Sequence, residues 1–170
     1  PQDIRPVRAE RVGVHAAASD TRYAGEVRAR HETALGFRVA GRVQTRTVDV
    51  GAQVKAGQVI ATLDPQDYAL AVSAARAQLT AAEAEAKLAQ QDLQRFTELR
   101  AQNFISAAEL DRRRTTAEAA QARVRQLRAE TARQGNQQAY TRLTAPHAGV
   151  VTAIAVENGQ VVAAGQPVAQ

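Results

Sequence analysis

The sequence predicts an elongated α+β protein in which a long antiparallel α-helical coiled-coil hairpin interrupts a small β domain. Three observations carry that prediction. Residues 66–134 contain neither Gly nor Pro, where average usage would place about eight. The segments on either side are rich in Val and Gly, with β-branched residues at short intervals. Those flanks also repeat each other: residues 40–61, AGRVQTRTVDVGAQVKAGQVIA, align without a gap on residues 148–169, AGVVTAIAVENGQVVAAGQPVA, at a constant offset of 108.

Composition narrows the function classes. The 170 residues include no Cys, Met or Trp. Without Cys there is no disulfide framework, thiolate zinc site, thiol nucleophile or iron–sulfur cluster. The absence of Met is expected of a processed or shortened chain. Apolar runs extend only a few residues, too short for a membrane-spanning helix. Lys+Arg is 22 against 17 Asp+Glu, a net charge of +5. Only Lys55 and Lys87 are lysines, and the arginines are dispersed apart from the run Arg112-Arg113-Arg114. A nucleic-acid surface would need a clustered basic patch and stacking aromatics, so no nucleic acid is expected as a partner.

From the N-terminus, Val7–Val14 and Arg22–Arg30 read as strands with a turn near Asp20. Residues 37–64 read as the first β half. Its frame recurs in residues 140–170: Gly41 with Gly149, Val43 with Val151, Val48 with Val156, Gly51 with Gly159, Val54 with Val162 and Gly57-Gln58 with Gly165-Gln166. Glycines at fixed offsets mark turns, and the valines between them mark short strands. Two such units can close into one small barrel with quasi-twofold symmetry.

Residues 65–139 form the helical part. Asp64 before Pro65 suits an N-cap followed by Pro at the first helical position, and Asp67 sits where the helix dipole favours a carboxylate. Val72, Ala75, Leu79, Ala82, Ala86, Ala89, Leu93 and Phe96 alternate steps of three and four, an a/d seam. A second seam runs Leu110, Ala117, Ala120, Val124 and Leu127; Arg113 interrupts it, and it weakens to Thr131, Gln134 and Gln138. Between them, Ser106-Ala107-Ala108-Glu109 is a capping-box pattern, flanked by Ile105 and Leu110 as a hydrophobic staple. One helix is therefore expected from about 65, a tip at about 102–106, and a second helix from 106 to Gly135–Ala139. Each arm spans about 50 Å, and a short loop makes the two antiparallel neighbours. Four basic and five acidic residues lie in 65–105, against seven and four in 106–139, an opposite bias that suits facing helices.

Each β half resembles half of a biotinyl/lipoyl carrier domain. In carriers the halves meet at a hairpin bearing the modified Lys; here the helices occupy that junction. Lys55 lies in the Val54-Lys55-Ala56-Gly57 turn and Lys87 in mid-helix, so no acceptor Lys remains. The chain resembles the periplasmic adaptors called membrane fusion proteins, of the HlyD family. The resemblance is carried by Tyr23-Ala24-Gly25-Glu26-Val27, then Leu35-Gly36-Phe37-Arg38-Val39-Ala40-Gly41-Arg42-Val43. Val59-Ile60-Ala61-Thr62-Leu63-Asp64-Pro65-Gln66-Asp67-Tyr68 then leads into the hairpin, and Ala139-Tyr140-Thr141-Arg142-Leu143-Thr144-Ala145-Pro146 with Gly149 leads out. It implies that residues 1–36 supply N-terminal strands of a β-barrel and membrane-proximal region left incomplete by a chain ending at Gln170.

The tip carries the most specific likeness. Adaptors of resistance-nodulation-division (RND) pumps typically bear R-x(3)-L-x(6)-S there, and Arg95, Leu99 and Ser106 stand at that spacing, with Asn103, Phe104 and Ile105 between the helices. The resemblance implies that these residues meet a TolC-type outer-membrane channel. Each also has a plain structural account: Ser106 as an N-cap, Leu99 as hairpin core although its register points it outward, and Arg95 as a solvated partner of Asp92 or Glu98. It further implies an inner-membrane RND transporter as partner, self-assembly as a hexamer, and a periplasmic location against the inner membrane, with drugs or other small toxic compounds exported.

Other readings stay open at this level. An adaptor of an ABC-type or metal-exporting pump shares the plan, although absent Met and Cys disfavour copper and silver. A plain coiled-coil scaffold has no need of two matching half-barrels. No enzyme is expected: His15, His31 and His147 lack metal-ligand spacing, no phosphate-binding Gly loop opens a helix, and no nucleophile has a recognisable setting. No cofactor or metal is expected.

Overall fold

The computed structural model describes residues 3–13 and 22–170. Two units divide at His31 and Glu32. Among the described residues the second contains all the regular structure: β1 (Leu35–Gly36), β2 (Gly41–Arg46), β3 (Gln53–Val54), β4 (Val59–Leu63), α1 (Gln66–Ala101), α2 (Ala107–Ala139), β5 (Arg142–Thr144), β6 (Gly149–Val150), β7 (Val161–Val162) and β8 (Pro167–Ala169).

The strands pair across the helices. All four partnerships are antiparallel: β1 with β8, β2 with β7, β3 with β6 and β4 with β5. β2 also pairs with β4, which gives a four-stranded sheet in the order β5-β4-β2-β7. The sequence repeat is visible bond by bond. Gly41 and Arg42 face Val162 and Val161; shifting each by the offset gives Gly149 and Val150 facing Val54 and Gln53, the observed β3–β6 register. The Val43 N–H donates to Gln160 O at 2.8 Å, and its equivalent, the Val151 N–H, donates to Ala52 O at 3.0 Å. Gly57 donates to Ala145 O and Gly165 to Phe37 O, both at 2.8 Å. Gly57 and Gly165 hold φ of 80° and 81°, a left-handed conformation that costs an L side chain roughly 1–2 kcal/mol, so the shared Gly is a backbone requirement of both turns.

The repeat also builds the core. Val43 and Val151, Val48 and Val156, Val54 and Val162, Ile60 and Val168, and Ala61 and Ala169 are equivalent pairs, and all are buried in one cluster with Phe37, Leu63, Leu143 and Ala145. In β4 and β8 two successive residues, Ile60–Ala61 and Val168–Ala169, are both buried, and the pairing of β4 with β5 shifts register between Val59 and Ala61. Arg46 of β2 ties the halves together. Its guanidinium bonds to Val48 O and Asp49 and approaches Glu157 at 3.8 Å, and Asp49 and Glu157 are equivalent turn residues. The Asp49 carboxylate, its strongest partner, raises the guanidinium's already high pKa further.

β4 leads into α1, and β5 receives the chain from α2. At this junction the Asp64 carboxylate accepts from the Gln66 N–H at 3.2 Å and from Arg42 at 3.0 Å, and both bonds hold it below the usual carboxylate range, the backbone bond most. Pro65 has helical angles and its carbonyl accepts from Ala69 N–H. Asp64 therefore caps the first turn as expected, with the assigned helix starting one residue later. At the exit, Gly135 lies within α2, and Thr141 Oγ1 donates to Gln138 O at 2.7 Å while Thr141 O accepts from Leu63 N–H at 2.8 Å.

The helices pack antiparallel. Thr131 Oγ1 reaches Ala75 O at 3.3 Å, Arg128 reaches Glu83 at 3.0 Å, and Arg113 lies over Phe96, so α2 descends as α1 rises. Every member of the first seam is buried or half-buried. On α2 the seam residues Ala117, Val124 and Leu127 are buried. Thr131, where the apolar pattern fades, also donates to Leu127 O at 2.8 Å, which satisfies its hydroxyl within the interface.

The N-terminal unit differs from expectation. Residues 7–13 and 22–30 carry no strand; Val14 and the turn at Asp20 lie outside the described residues. Val7, Val12, Tyr23 and Val27 are all almost fully exposed. Local β pattern alone does not make a strand, because the ladder requires a neighbour to take its backbone bonds, and among the described residues none pairs with these segments.

Candidate functional site

The turn between α1 and α2 is built by two interlocking caps. Gln102 ends α1, and Asn103 follows with φ 61°. The Phe104 N–H donates to Leu99 O at 3.0 Å and the Asn103 N–H to Arg100 O at 2.9 Å. This pair of bonds is a Schellman closure, with Asn rather than Gly in the left-handed position that Asn tolerates best among side-chain-bearing residues. Two residues later Ser106, in extended conformation, caps α2: its Oγ accepts from the Glu109 N–H at 3.2 Å. The reversal takes only residues 102–106.

A residue that the sequence reading did not single out braces this turn. The Arg100 guanidinium donates to Ile105 O at 2.9 Å, satisfying a carbonyl that neither helix uses. Arg100 occupies the next seam position after Phe96, so its placement toward the turn was legible in the spacing. The capping box closes on one side only. The Glu109 carboxylate turns away from Ser106 and accepts from Arg113 Nε at 3.0 Å. Arg113 in turn sits 4.4 Å from the Phe96 ring centroid. The apparent interruption of the second seam is thus a guanidinium stacked across the helix pair, a contact that joins a cation to an aromatic face.

The six tip residues divide by exposure. Phe104 is 71% exposed, and Arg95, Asn103 and Ser106 are also exposed. Ile105 and Leu99 are half-buried. Leu99, which its register points outward, has a partly covered side chain, and its carbonyl accepts from the Phe104 N–H. Arg95 donates to Asp92 at 2.6 Å, one of the two partners expected for it. Arg95, Leu99 and the tip residues 103–106 therefore lie along the final two turns of α1 and its cap. They offer a guanidinium, a bare aromatic ring and a rigid backbone, a set suited to contact rather than to bond-making chemistry. Among the described residues no three or more His, Asp or Glu side chains converge as metal ligands would.

Matched β halves, with paired helices between them that end in a capped and exposed turn, define the class as membrane fusion protein. Residues 32–170 match the family model described as RND MFP, barrel-sandwich hybrid domain, and the chain belongs to this family, the adaptor proteins of RND-type pumps. The multidrug resistance protein MdtA of Klebsiella pneumoniae is 31% identical over 141 residues, covering 83% of this chain and 34% of its own length. The chain thus spans about a third of the curated relatives it matches. A crystal structure of a putative efflux transporter from Bacteroides eggerthii superposes with a TM-score of 0.54 at 29% identity, covering 81% of this chain and 38% of that one. MacA from Actinobacillus actinomycetemcomitans shares the fold, with a TM-score of 0.59 at 24% identity over 83% of this chain and 49% of its own.

Proposed function

We propose that this chain is the central part of a periplasmic adaptor that links an inner-membrane RND transporter to a TolC-type outer-membrane channel for export of drugs or other small toxic compounds. In this reading α1 and α2 are a hairpin inserted between the two halves of a lipoyl-like β domain. Six copies form a ring, with the β domains as a collar and the hairpins as a tube, held at the inner membrane. The protein acts by joining two membrane components, not by catalysis. The relatives, a multidrug resistance protein and an efflux transporter, support the export role.

The observation that carries the docking role is the tip. Arg95, Leu99 and Ser106 stand at the spacing found in RND adaptors, and the two caps fix their backbone while leaving Arg95, Asn103 and Phe104 open. A contact surface must be held by its support, and here Ser106 and Asn103 hold it. Arg95 would pair with an acidic group of the channel, and Phe104, with the half-buried Leu99 and Ile105, would fill an apolar groove there.

The test is Arg95→Asp with Leu99→Asp in the full-length protein. Efflux and adaptor–channel cross-linking are expected to fall together, while the amount of folded adaptor stays constant. Unchanged efflux and cross-linking would contradict the docking role.

A further inference from the structure

A cavity of about 950 Å³ opens where α2 returns to the β domain, lined by β4, β5, the β1–β2 segment and the end of α2. In β5 Leu143 is buried, and its neighbours Arg142 and Thr144 are exposed on the opposite face. Pairing sets Arg142 beside Thr62 of β4, and both line the cavity. Arg38, between β1 and β2, enters from another side and lies over the Tyr140 ring, 3.9 Å from its centroid. Leu35, Pro65 and Pro146 supply apolar wall.

The lining carries charge of one sign. Arg38 and Arg142 belong to it, and no Asp or Glu does among the described residues. Neither guanidinium forms an ion pair among the described residues. Arg38 rests its flat face on Tyr140, which leaves its N–H edge to donate in plane. That edge matches two oxygens of one carboxylate or sulfonate. The C-terminus of α2 also borders the cavity and carries about half a negative charge. Two of its last carbonyls, Asn136 O and Gln138 O, already accept from the Tyr140 and Thr141 N–H groups. Two full positive charges exceed that half charge, so the balance favours an anion.

Gly135 has no internal reason to be glycine. It stands within α2, where Gly is a poorer helix former than Ala. Its φ is not in the left-handed region, and an added Cβ would meet nothing within 4 Å. Gly36, in the same lining, differs: its Cβ would strike Gln166 O. What the bare Gly135 backbone provides is open space in the cavity wall.

We propose that this cavity binds a small amphiphilic anion. Arg38 and Arg142 hold its carboxylate or sulfonate, and its apolar body fills the space at Gly135 against Leu35, Pro65 and Pro146. Cavities of about 300–1,000 Å³ with apolar walls and a few fixed polar groups hold drug-sized molecules. The site goes beyond the bridging role: it lies at the base of the helices, about 50 Å from the tip, and requires neither the ring nor the channel.

Isothermal titration calorimetry of the full-length adaptor with naphthalenesulfonate tests the site. One molecule should bind per chain. Inorganic sulfate, which has the charge without the body, and naphthylmethylammonium, which has the body with the opposite charge, should each bind at least tenfold more weakly. Arg38→Gln and Arg142→Gln should each weaken naphthalenesulfonate about tenfold, the scale of one charge-assisted hydrogen bond. Arg125→Gln, exposed on α2 and outside the cavity, should leave binding unchanged. Gly135→Leu should abolish binding while the melting temperature holds or rises, because Leu is the better helix former. A merely structural Gly135 would not separate binding from stability in this way. The proposal is overturned by absent binding, by equal binding of sulfate or of the cation, by binding that survives Gly135→Leu, or by an Arg125→Gln loss as large as that of Arg142→Gln. Any of these would leave cross-linking of the tip to the channel untouched, so the docking role stands or falls separately.

Discussion

Seven side chains of the β domain, Phe37, Ile60, Leu63, Val43, Val156, Val162 and Val168, are each less than 2% exposed. The compact cluster between the helices consists of Ala82, Ala86, Val124 and Leu127, with Leu79 and Ala120 beside it. The β domain thus buries side chains on all sides, while the helices bury one narrow line, half of it alanine. Two helices alone can cover only one stripe of each other, so the arm depends on what fixes its ends. At the base these are the Asp64 cap and the β4–β5 ladder, and at the tip they are the Asn103 closure and the Ser106 cap. A protein organised this way concentrates its cohesion at the base and leaves its far end defined by hydrogen bonds.

That contrast can be broken from either side. The largest effect is expected in the β core: Ile60→Ala should destabilise the protein by about 2–5 kcal/mol, measured by chemical denaturation. Hydrogen exchange should show lost protection in both β halves, because the strands of each half pair with those of the other. A change confined to residues 37–64 would contradict the shared core. Next, Gly57→Ala and Gly165→Ala should each cost about 1–2 kcal/mol. An added Cβ would meet nothing within 4 Å at either site, so only the backbone angle matters and the two costs should agree. A large difference between them would break the twofold equivalence.

At the tip, Ser106→Ala should cost about 1 kcal/mol. Its exchange signature should stay within the last turn of α1 and the first of α2, leaving the β core protected. The smallest effect concerns acid. Arg133, then Gln134, hold the Glu130 carboxyl down to about 2, well below its ordinary 4.5. A depressed carboxyl contributes stability that is present above its unfolded-state pKa and is lost as pH falls through the folded value. Glu130→Gln should therefore lower helix stability slightly at neutral pH, where the carboxylate contributes in full, and flatten the further loss between about pH 4.5 and 2. An unaltered acid profile would show that this exposed network is not a source of stability.

Much of this was legible in the sequence because it is periodic. The offset of 108 located the turns, and it relates the two pairings Gly41–Val162 and Val54–Gly149 that the structure shows. The steps of three and four located the buried line on α1, and Asp64-Pro65 and Ser106 located the helix starts. What was hidden depends on contacts between distant residues. Arg113 read as a flaw because the pattern cannot say that Phe96 lies opposite it. Glu109 fitted a capping box, but a guanidinium one turn along was the better partner. The β-like segments at 7–13 and 22–30 have no strand partner among the described residues, because alternation supplies faces and not neighbours. Leu99 lay off the seam, and the spacing did not announce its partial cover. Arg100, which braces the tip, was visible as a seam position but nothing local announced a bond to Ile105.

The docking proposed above requires the capped tip to touch an outer-membrane channel. A photoreactive side chain placed at Phe104 in the full-length adaptor tests this most directly, since that ring is exposed and no described contact depends on it. Irradiation of cells should yield an adduct with the channel protein. The same probe at Thr80, exposed in the middle of α1, should give no such adduct. Adducts of equal yield at both positions, or none with the channel from position 104, would contradict the account.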